Sequence, residues 1–262
     1  MLQGRIDVHS HLLPGVDDGC QNVADSARCA QTLVKAGYTH AFCTPHVWPK
    51  LPENNVQNIR QGVQKLQEEY DRRQIPLRLI PGGEINILWG WPALGDLPGA
   101  QVVTYGLAGK YALFDFWAEE LSQCIDCMLP AVQHLQSLGL TLILGHPERI
   151  AALYRDPKAV DWFAERGVLL QMNTWCLTDP PGSPIYEMAA RLLREDRYFT
   201  FGTDTHNAAS MPNRIRGLKV AEQIVGADKV HQLTVENPRV LLPDEALSER
   251  NQAAARAENA QV

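Results

Sequence analysis

The chain is expected to fold as an α/β protein, a distorted seven-stranded (β/α) barrel of TIM-like architecture. Three observations predict it. Short apolar runs alternate with segments of helical spacing along nearly the whole chain, the pattern of repeated βα units with parallel strands. His11, His46, Glu84, Asp115, His146 and Asp204 fall at or just past the ends of different runs, the rim where barrel proteins assemble their sites. No glycine-rich dinucleotide turn marks the switch point that an open doubly wound sheet would use.

Strands are expected at 5–11, 39–46, 77–85, 111–116, 141–146, 168–174 and 198–204. After the first, Asn22 followed by Asp25 can cap a helix, which Gly37 stops. After the second, Val56, Ile59, Val63, Leu66 and Tyr70 recur every three or four residues and mark one apolar helical face. The helix start after Asp115 is irregular, while Gly139 and Gly167 sit where the next helices should stop. No repeat, low-complexity tract or linker divides the chain, so 1–243 is expected to be one domain. From Asp244 to the end the sequence is polar and rich in Ala, Glu and Arg, as in a flexible tail spanning 244–262.

Composition narrows the class. Of 262 residues 45% are hydrophobic, enough for a sizeable core. A net charge of −6 argues against a nucleic-acid surface. The opening MLQGRIDVHSH lacks the apolar stretch of a signal peptide, and no run approaches the ~18 apolar residues of a membrane span. The six cysteines (20, 29, 43, 124, 127 and 176) include one CxxC, Cys124 and Cys127, without the second that a zinc knuckle needs. They are expected to be buried reduced thiols, and the chain to be cytoplasmic and not membrane-embedded.

The polar residues form a metal-ligating pattern. His9 and His11 in IDVHSHLLPGVDDG are two apart, so on a strand both imidazoles face one side, with Asp7 before them. Asp204 and His206 in FGTDTHN repeat that spacing near the last strand. His46 in CTPH, Glu84 in PGGE, Asp115 in LFDF and His146 in GHPER add one candidate each. Nitrogen and carboxylate donors without thiolate suit Mn²⁺, Fe²⁺ or Zn²⁺, and their number exceeds what one ion needs. A rim of merely solvated polar residues would explain single positions but not two paired motifs on six strand ends. Of Asp17 and Asp18, one can ligate while the other caps the turn. His40, His134 and His231 read as structural or exposed. Arg149 follows His146 by three residues, where a guanidinium could grip phosphate as a fork; the alternative is an ion pair with Glu148 or a carboxylate of the metal shell.

Together IDVHSHLLPGVDDG, CTPH, GGEI, YALFDF, LGHPER, FGTDTHN and ENPRVLL resemble the polymerase-and-histidinol-phosphatase family, in its order from residue 6 to 242. More narrowly the chain resembles the manganese-dependent protein-tyrosine phosphatases of bacterial capsule and exopolysaccharide operons. The resemblance implies three divalent ions, manganese first. His9, His11, Glu84 and Asp204 would hold one, and Glu84 would bridge to a second held by Asp115 and His146. Asp18, His46 and His206 would hold the third. It implies a phosphate contact by Arg149, metal-assisted hydrolysis without a phosphoenzyme, and a phosphotyrosine protein as partner, such as the tail of a bacterial tyrosine kinase. Asp115 stands where the family commonly has Glu, which would weaken the second site. The arginine usual just past DxHN is delayed to Arg214 or Arg216, and Arg214 is taken as the candidate substrate contact. The rival activities are a phosphatase of histidinol phosphate or sugar phosphates, and a non-catalytic regulator that binds phosphoprotein. Trp48, Trp89, Trp91, Trp117 and Trp175 follow rim strands and are expected around the mouth, Trp48 foremost as an aryl contact; Trp162 is expected in the core.

Overall fold

The structure, a computed structural model, describes residues 4–87, 99–123, 125–156 and 158–244. Trp89, Trp91, Cys124 and the tail beyond Asp244 lie outside them. The strands are β1 (Arg5–Asp7), β2 (Tyr38–Cys43), β3 (His46–Val47), β4 (Arg78–Pro81), β5 (Glu84–Asn86), β6 (Tyr111–Asp115), β7 (Thr141–Gly145), β8 (Leu169–Asn173) and β9 (Thr200–Gly202). Between them run helices α1 (Val23–Lys35), α2 (Val56–Arg72), α3 (Ile125–Ser137), α4 (Ala151–Arg155), α5 (Ala159–Ala164) and α6 (Pro184–Arg194); α7 (Met211–Val225) and α8 (Ala227–His231) follow β9. Among the described residues no helix is long and apolar enough to cross a membrane.

All strand pairs are parallel. They form two sheets, β1-β2-β4 and β3-β5-β6-β7-β8-β9, rather than the single set of seven continuous strands expected. The second expected strand breaks at Thr44–Pro45, where proline has no N–H to donate, and the third breaks at Gly82–Gly83. Backbone bonds from Gly82 N to Cys43 O (2.9 Å) and from Glu84 N to Pro45 O (3.0 Å) bridge these breaks. The first expected strand ends at Asp7, and its continuation meets the segment after β9 through one isolated bridge, Ser10 to Thr205. Asp204 N to His9 O (2.7 Å) and His11 N to Thr205 O (2.8 Å) tie the same two segments.

Side-chain alternation sorts the strands into two apolar layers. Ala112, Phe114, Leu142, Leu144, Leu170 and Met172 face the large core shared with the helices. Leu113, Ile143, Ile6, Phe42 and Ile80 form a second, smaller cluster, with Leu169 packed against it. Apolar burial on both faces is what a covered parallel sheet requires. Asp115 lies two residues past Leu113, and Gln171 and Asn173 lie two and four past Leu169. By the same alternation the inner face turns polar at the strands' C-terminal ends.

The helices follow local signals. Asn22 caps α1 by accepting from Asp25 N, and Asn55 caps α2 by accepting from Gln57 N and Asn58 N. Ile59, Val63, Leu66 and Tyr70 are the buried stripe of α2, with Val56 at its edge. After Asp115 the chain makes a short 3-10 turn, Leu121–Gln123, before α3 begins at Ile125. Gly217 lets α7 lie directly on the turn after β8, because a Cβ there would come within 1.8 Å of Thr174 O. Cys20, Cys29, Cys43 and Cys176 are buried, but Cys127 is exposed, contrary to expectation, since it falls outside the buried stripe of α3.

Candidate metal centre

His9, His11, His46, Glu84, Asp115, His146 and Asp204 all converge, buried, at the C-terminal ends of the strands. Two of them reach the centre through unusual backbone: His146 (φ 36°, ψ 54°) and Asp204 (φ 52°) are left-handed. Non-glycine residues rarely adopt that region, and such strain concentrates where a side chain must be aimed. Just before Asp204, Gly202 leaves room for its neighbours: a Cβ would sit 2.5 Å from His9 Cβ and 2.7 Å from Gln171 Nε2.

The tautomers are set from outside the cluster. His9 Nδ1 lies 2.8 Å from Gln171 Oε1 and His11 Nδ1 lies 2.7 Å from Asp17 Oδ2. Both partners only accept, so both imidazoles carry their proton on Nδ1 and present Nε2 as a lone pair. Those two Nε2 atoms face each other at 3.2 Å. Glu84 Oε1 lies 3.4 Å from His9 Nε2, and Asp204 Oδ1 lies 3.6 Å from the same atom. Asp204 Oδ1 and Glu84 Oε2 stand 3.4 and 3.5 Å from His11 Nε2. Four lone-pair donors turned on one point repel one another unless a cation lies among them. Without a metal the site draws protons: burial pushes His11 down, but Asp17, Asp204 and Glu84 outweigh it and raise its pKa well above the ordinary value.

Among the described residues, three overlapping groups of histidine and carboxylate have ligand atoms within 4.8 Å of one another: His9–His11–Glu84, Glu84–Asp115–His146, and His11–Asp18–His46–His206. Glu84 links the first two, with Oε1 at 2.8 Å from His146 Nε2, and its Oε2 lies 2.8 Å from His46 Nδ1. Asp18 Oδ1 stands 3.3 Å from His46 Nε2 and 3.4 Å from His206 Nε2. His206 Nδ1 is 2.8 Å from the Asp204 carbonyl, which leaves its Nε2 free to ligate. Burial, then Glu84, pushes Asp115 up to about 8. Its Oδ1 accepts from Asn86 Nδ2 at 3.0 Å, while Oδ2 is buried with no hydrogen-bond partner, as is His146 Nδ1. Buried polar atoms left unmatched are costly, and divalent cations would satisfy them; the residues fit a polynuclear metal centre.

A fourth group, Cys20–Asp25–Cys29, lies apart from the centre. Its Sγ atoms are 3.8 Å apart, and the bond to Cys29 and burial push the Cys20 thiol far up, so it stays protonated and ligates poorly.

The structure separates Asp17 from Asp18. Asp17 accepts from Gly19 N (2.9 Å) and His46 N (3.1 Å) besides His11, and so shapes the turn, while Asp18 faces the histidines. Arg149 Nη1 lies 2.9 Å from Asp204 Oδ2, the shell contact weighed as its alternative role. Its guanidinium also lies 5.0 Å from the Trp117 ring and 5.4 Å from the Trp175 ring. Arg214 is buried, its guanidinium bonded to the Thr203 carbonyl and, at 3.1 Å, to Ser210 Oγ. Trp48 stacks on the His46 ring at 4.1 Å. Trp162, partly buried, packs on Phe163 and under Arg166.

Sequence reasoning missed the supporting layer. Asn173 Nδ2 donates to Asp204 Oδ2 at 2.7 Å. Buried Glu148 accepts from Asn173 N (2.7 Å) and Tyr198 Oη (3.0 Å). Asp7, which shares its face with His9 on the sequence pattern, accepts from Thr203 N at 2.8 Å and from Thr203 Oγ1 at 2.6 Å instead. A signal for part of this was present: Gln171 and Asn173 repeat the two-residue spacing of the ligand pairs inside an otherwise apolar run.

Tyrosine-protein phosphatase YwqE of Bacillus subtilis is 27% identical over 243 residues, 92% of this chain and 93% of that protein. Tyrosine-protein phosphatase CpsB of Streptococcus pneumoniae is 25% identical over 248 residues, 92% of this chain and 100% of that protein. A solved structure from work on YwqE and CpsB, described as unique metal-dependent tyrosine phosphatases, superposes with a TM-score of 0.78 at 26% identity, covering 90% of this chain and 94% of that one. A phosphotriesterase homology protein of Escherichia coli, 10% identical with a TM-score of 0.54 over 91% of this chain and 98% of that one, shares the fold alone. The sequence profile of the CpsB/CapC family of capsular polysaccharide synthesis matches residues 5–243, and the chain belongs to that family.

Proposed function

We propose that the protein is a metal-dependent protein-tyrosine phosphatase, hydrolysing phosphotyrosine on a tyrosine kinase that regulates exopolysaccharide synthesis. The observation that carries this reading is the convergence of the His9 and His11 Nε2 lone pairs, 3.2 Å apart, beside Glu84, Asp204 and Arg149. Its support is the 27% identity to a tyrosine phosphatase across 92% of the chain. Three divalent ions belong to the reading, manganese first and iron or zinc as substitutes. His9, His11, Glu84 and Asp204 would hold one; Glu84, Asp115 and His146 the second; Asp18, His46 and His206 the third. We read the two sheets as one distorted seven-stave barrel, an arrangement supported by the Ser10–Thr205 bridge. A cytoplasmic location and one domain over 1–243 complete the proposal; the expected tail lies outside the described residues.

When bound, such ions polarise phosphoryl oxygens and lower the pKa of water enough to supply hydroxide near neutral pH. The chain's own residues supply orientation and charge. Gln171 and Asp17 hold the His9 and His11 tautomers, and Asn173 holds Asp204. Arg149, beside Asp204 at the rim of the centre, is placed to meet the phosphoryl group, where its fork matches two oxygens and offsets the charge that grows there. Burial pushes the Cys43 and Cys176 thiols up, so they stay protonated and supply no nucleophile.

The test pairs metal analysis of the purified protein with assays under added Mn²⁺, Fe²⁺, Co²⁺ and Zn²⁺. Phosphotyrosine peptides should be turned over in preference to histidinol phosphate and sugar phosphates. His9→Ala and Asp204→Ala should lose both metal and hydrolysis while staying folded. Full activity in either metal-depleted variant, or a preference for the small phosphates, overturns the reading.

A further inference from the structure

Around the metal centre, the described tryptophans differ in what their rings are free to do. Trp48 lies face to face with His46, with centroids 4.1 Å apart and planes 26° apart, so that face is taken. Trp175 is partly buried and packed against the main core. Trp117, two residues past Asp115, is 39% exposed, and among the described residues the other large apolar residue so exposed is Val240. The Trp117 ring stacks more loosely on the His146 ring, with centroids 5.8 Å and planes 30° apart, and the Arg149 guanidinium lies over it at 5.0 Å, so it is the exposure of its remaining surface that sets it apart from Trp48. The backbone fixes this relation, since Ala152 N, at the start of the helix after Arg149, bonds to Ala118 O at 2.9 Å.

We propose that Trp117 is the specificity-determining residue of the site, its exposed indole receiving the phenyl ring of an aryl phosphate. The inference rests on the phosphatase reading and deepens it. A phosphoryl group held by Arg149 keeps its ester oxygen, and the ring bonded to that oxygen, close to the guanidinium. The indole lies beside that guanidinium, its centroid 5.0 Å from Arg149 Cζ, so a phenyl ring on the ester oxygen would come close enough to pair with it, as aromatic rings do at centroid separations of ~4.5–7 Å. An alkyl phosphate offers no flat face to that ring. Trp175, 5.4 Å from the guanidinium, braces Arg149 and is a positioning residue. Trp48, expected foremost from its closeness to His46 in sequence, has one face on that histidine and is the comparison variant in the test.

The test compares metal-loaded wild type, Trp117→Ala, Trp117→Phe and Trp48→Ala on a phosphotyrosine peptide and the matched phosphoserine peptide. In Trp117→Ala the aryl-to-alkyl ratio of kcat/KM should fall roughly two- to twelvefold, the size of one aromatic pair. Trp117→Phe should restore most of the ratio, and Trp48→Ala should leave it at the wild-type value. Calorimetry with a non-hydrolysable phosphonate analogue of the phosphotyrosine peptide should show weaker binding by Trp117→Ala at unchanged metal content. Equal losses on both peptides, or loss of metal from Trp117→Ala, overturns the assignment. Failure of the wild type to turn over phosphotyrosine would instead overturn the phosphatase reading itself.

Discussion

At the scale of single residues, the centre is built from contradictions that a cation removes. Two imidazoles are each forced by an outside acceptor to turn a lone pair toward the other, and buried carboxylates stand around them. Arg149 is the cation the chain itself provides, parked on Asp204 and against two indoles. Arg149→Lys keeps the charge but loses the planar fork. Its kcat/KM on a phosphotyrosine peptide should fall by about 10²-fold, as when a donor to a developing charge is removed, while metal content stays at the wild-type level. Parallel loss of metal would mean that the arginine serves the shell rather than the substrate. The candidate ligands were legible in the sequence because strand alternation is local: His9 with His11, and Asp204 with His206, share a side whatever the rest of the chain does. The destination of Arg149 was not legible, because three residues of spacing from His146 do not say which carboxylate lies across the site.

At the scale of elements, short loops and close approaches hold the centre. The 3-10 turn Thr174–Thr178 carries Trp175 and is pressed by α7 through Gly217. Gly217→Ala would place a methyl group 1.8 Å from the Thr174 carbonyl, against backbone that cannot rotate away. The helix must move off the turn, at a cost of about 1–3 kcal/mol. Thermal unfolding should show a melting temperature lower by roughly 2–10 °C for a chain of this size. An unchanged melting temperature would mean that α7 is not seated on the turn. Helix starts at Asn22 and Asn55 and the buried stripe of α2 follow from capping and periodicity. The breaks at Pro45 and Gly82–Gly83 were visible as residue types, yet nothing local said that they would divide the pairing into two sheets.

For the molecule as a whole, the support beneath the centre makes stability depend on pH. Burial pushes Glu148, bonded to Asn173 N and Tyr198 Oη, up to about 7 from the ordinary value of 4.5. A carboxyl that binds its proton more tightly when folded favours the fold below the unfolded pKa. That contribution fades as pH rises from about 4.5 to about 7. Glu148→Gln keeps the shape and cannot ionise. Relative to this variant, metal-free wild type should therefore lose on the order of 2–3 kcal/mol between pH 4.5 and 7.5. Urea unfolding of both proteins across that range measures the difference. A constant gap would show that Glu148 is ionised or neutral throughout.

The sequence by itself determined the α/β class, the polar rim at the strand ends, the residue types of a candidate metal centre, the cap of the first helix and the apolar stripe of the second. Each of these depends on neighbours within a few positions, through alternation, capping or turn geometry. Only the tertiary structure decided that Asp17 orients His11 while Asp18 faces the histidines. It alone showed that Gln171, Asn173 and Glu148 form the layer behind the candidate ligands, that Arg214 is held by the Thr203 carbonyl, and that Trp117 is exposed while Trp48 stacks on His46. These outcomes are distances between residues tens to hundreds of positions apart, and packing sets such distances.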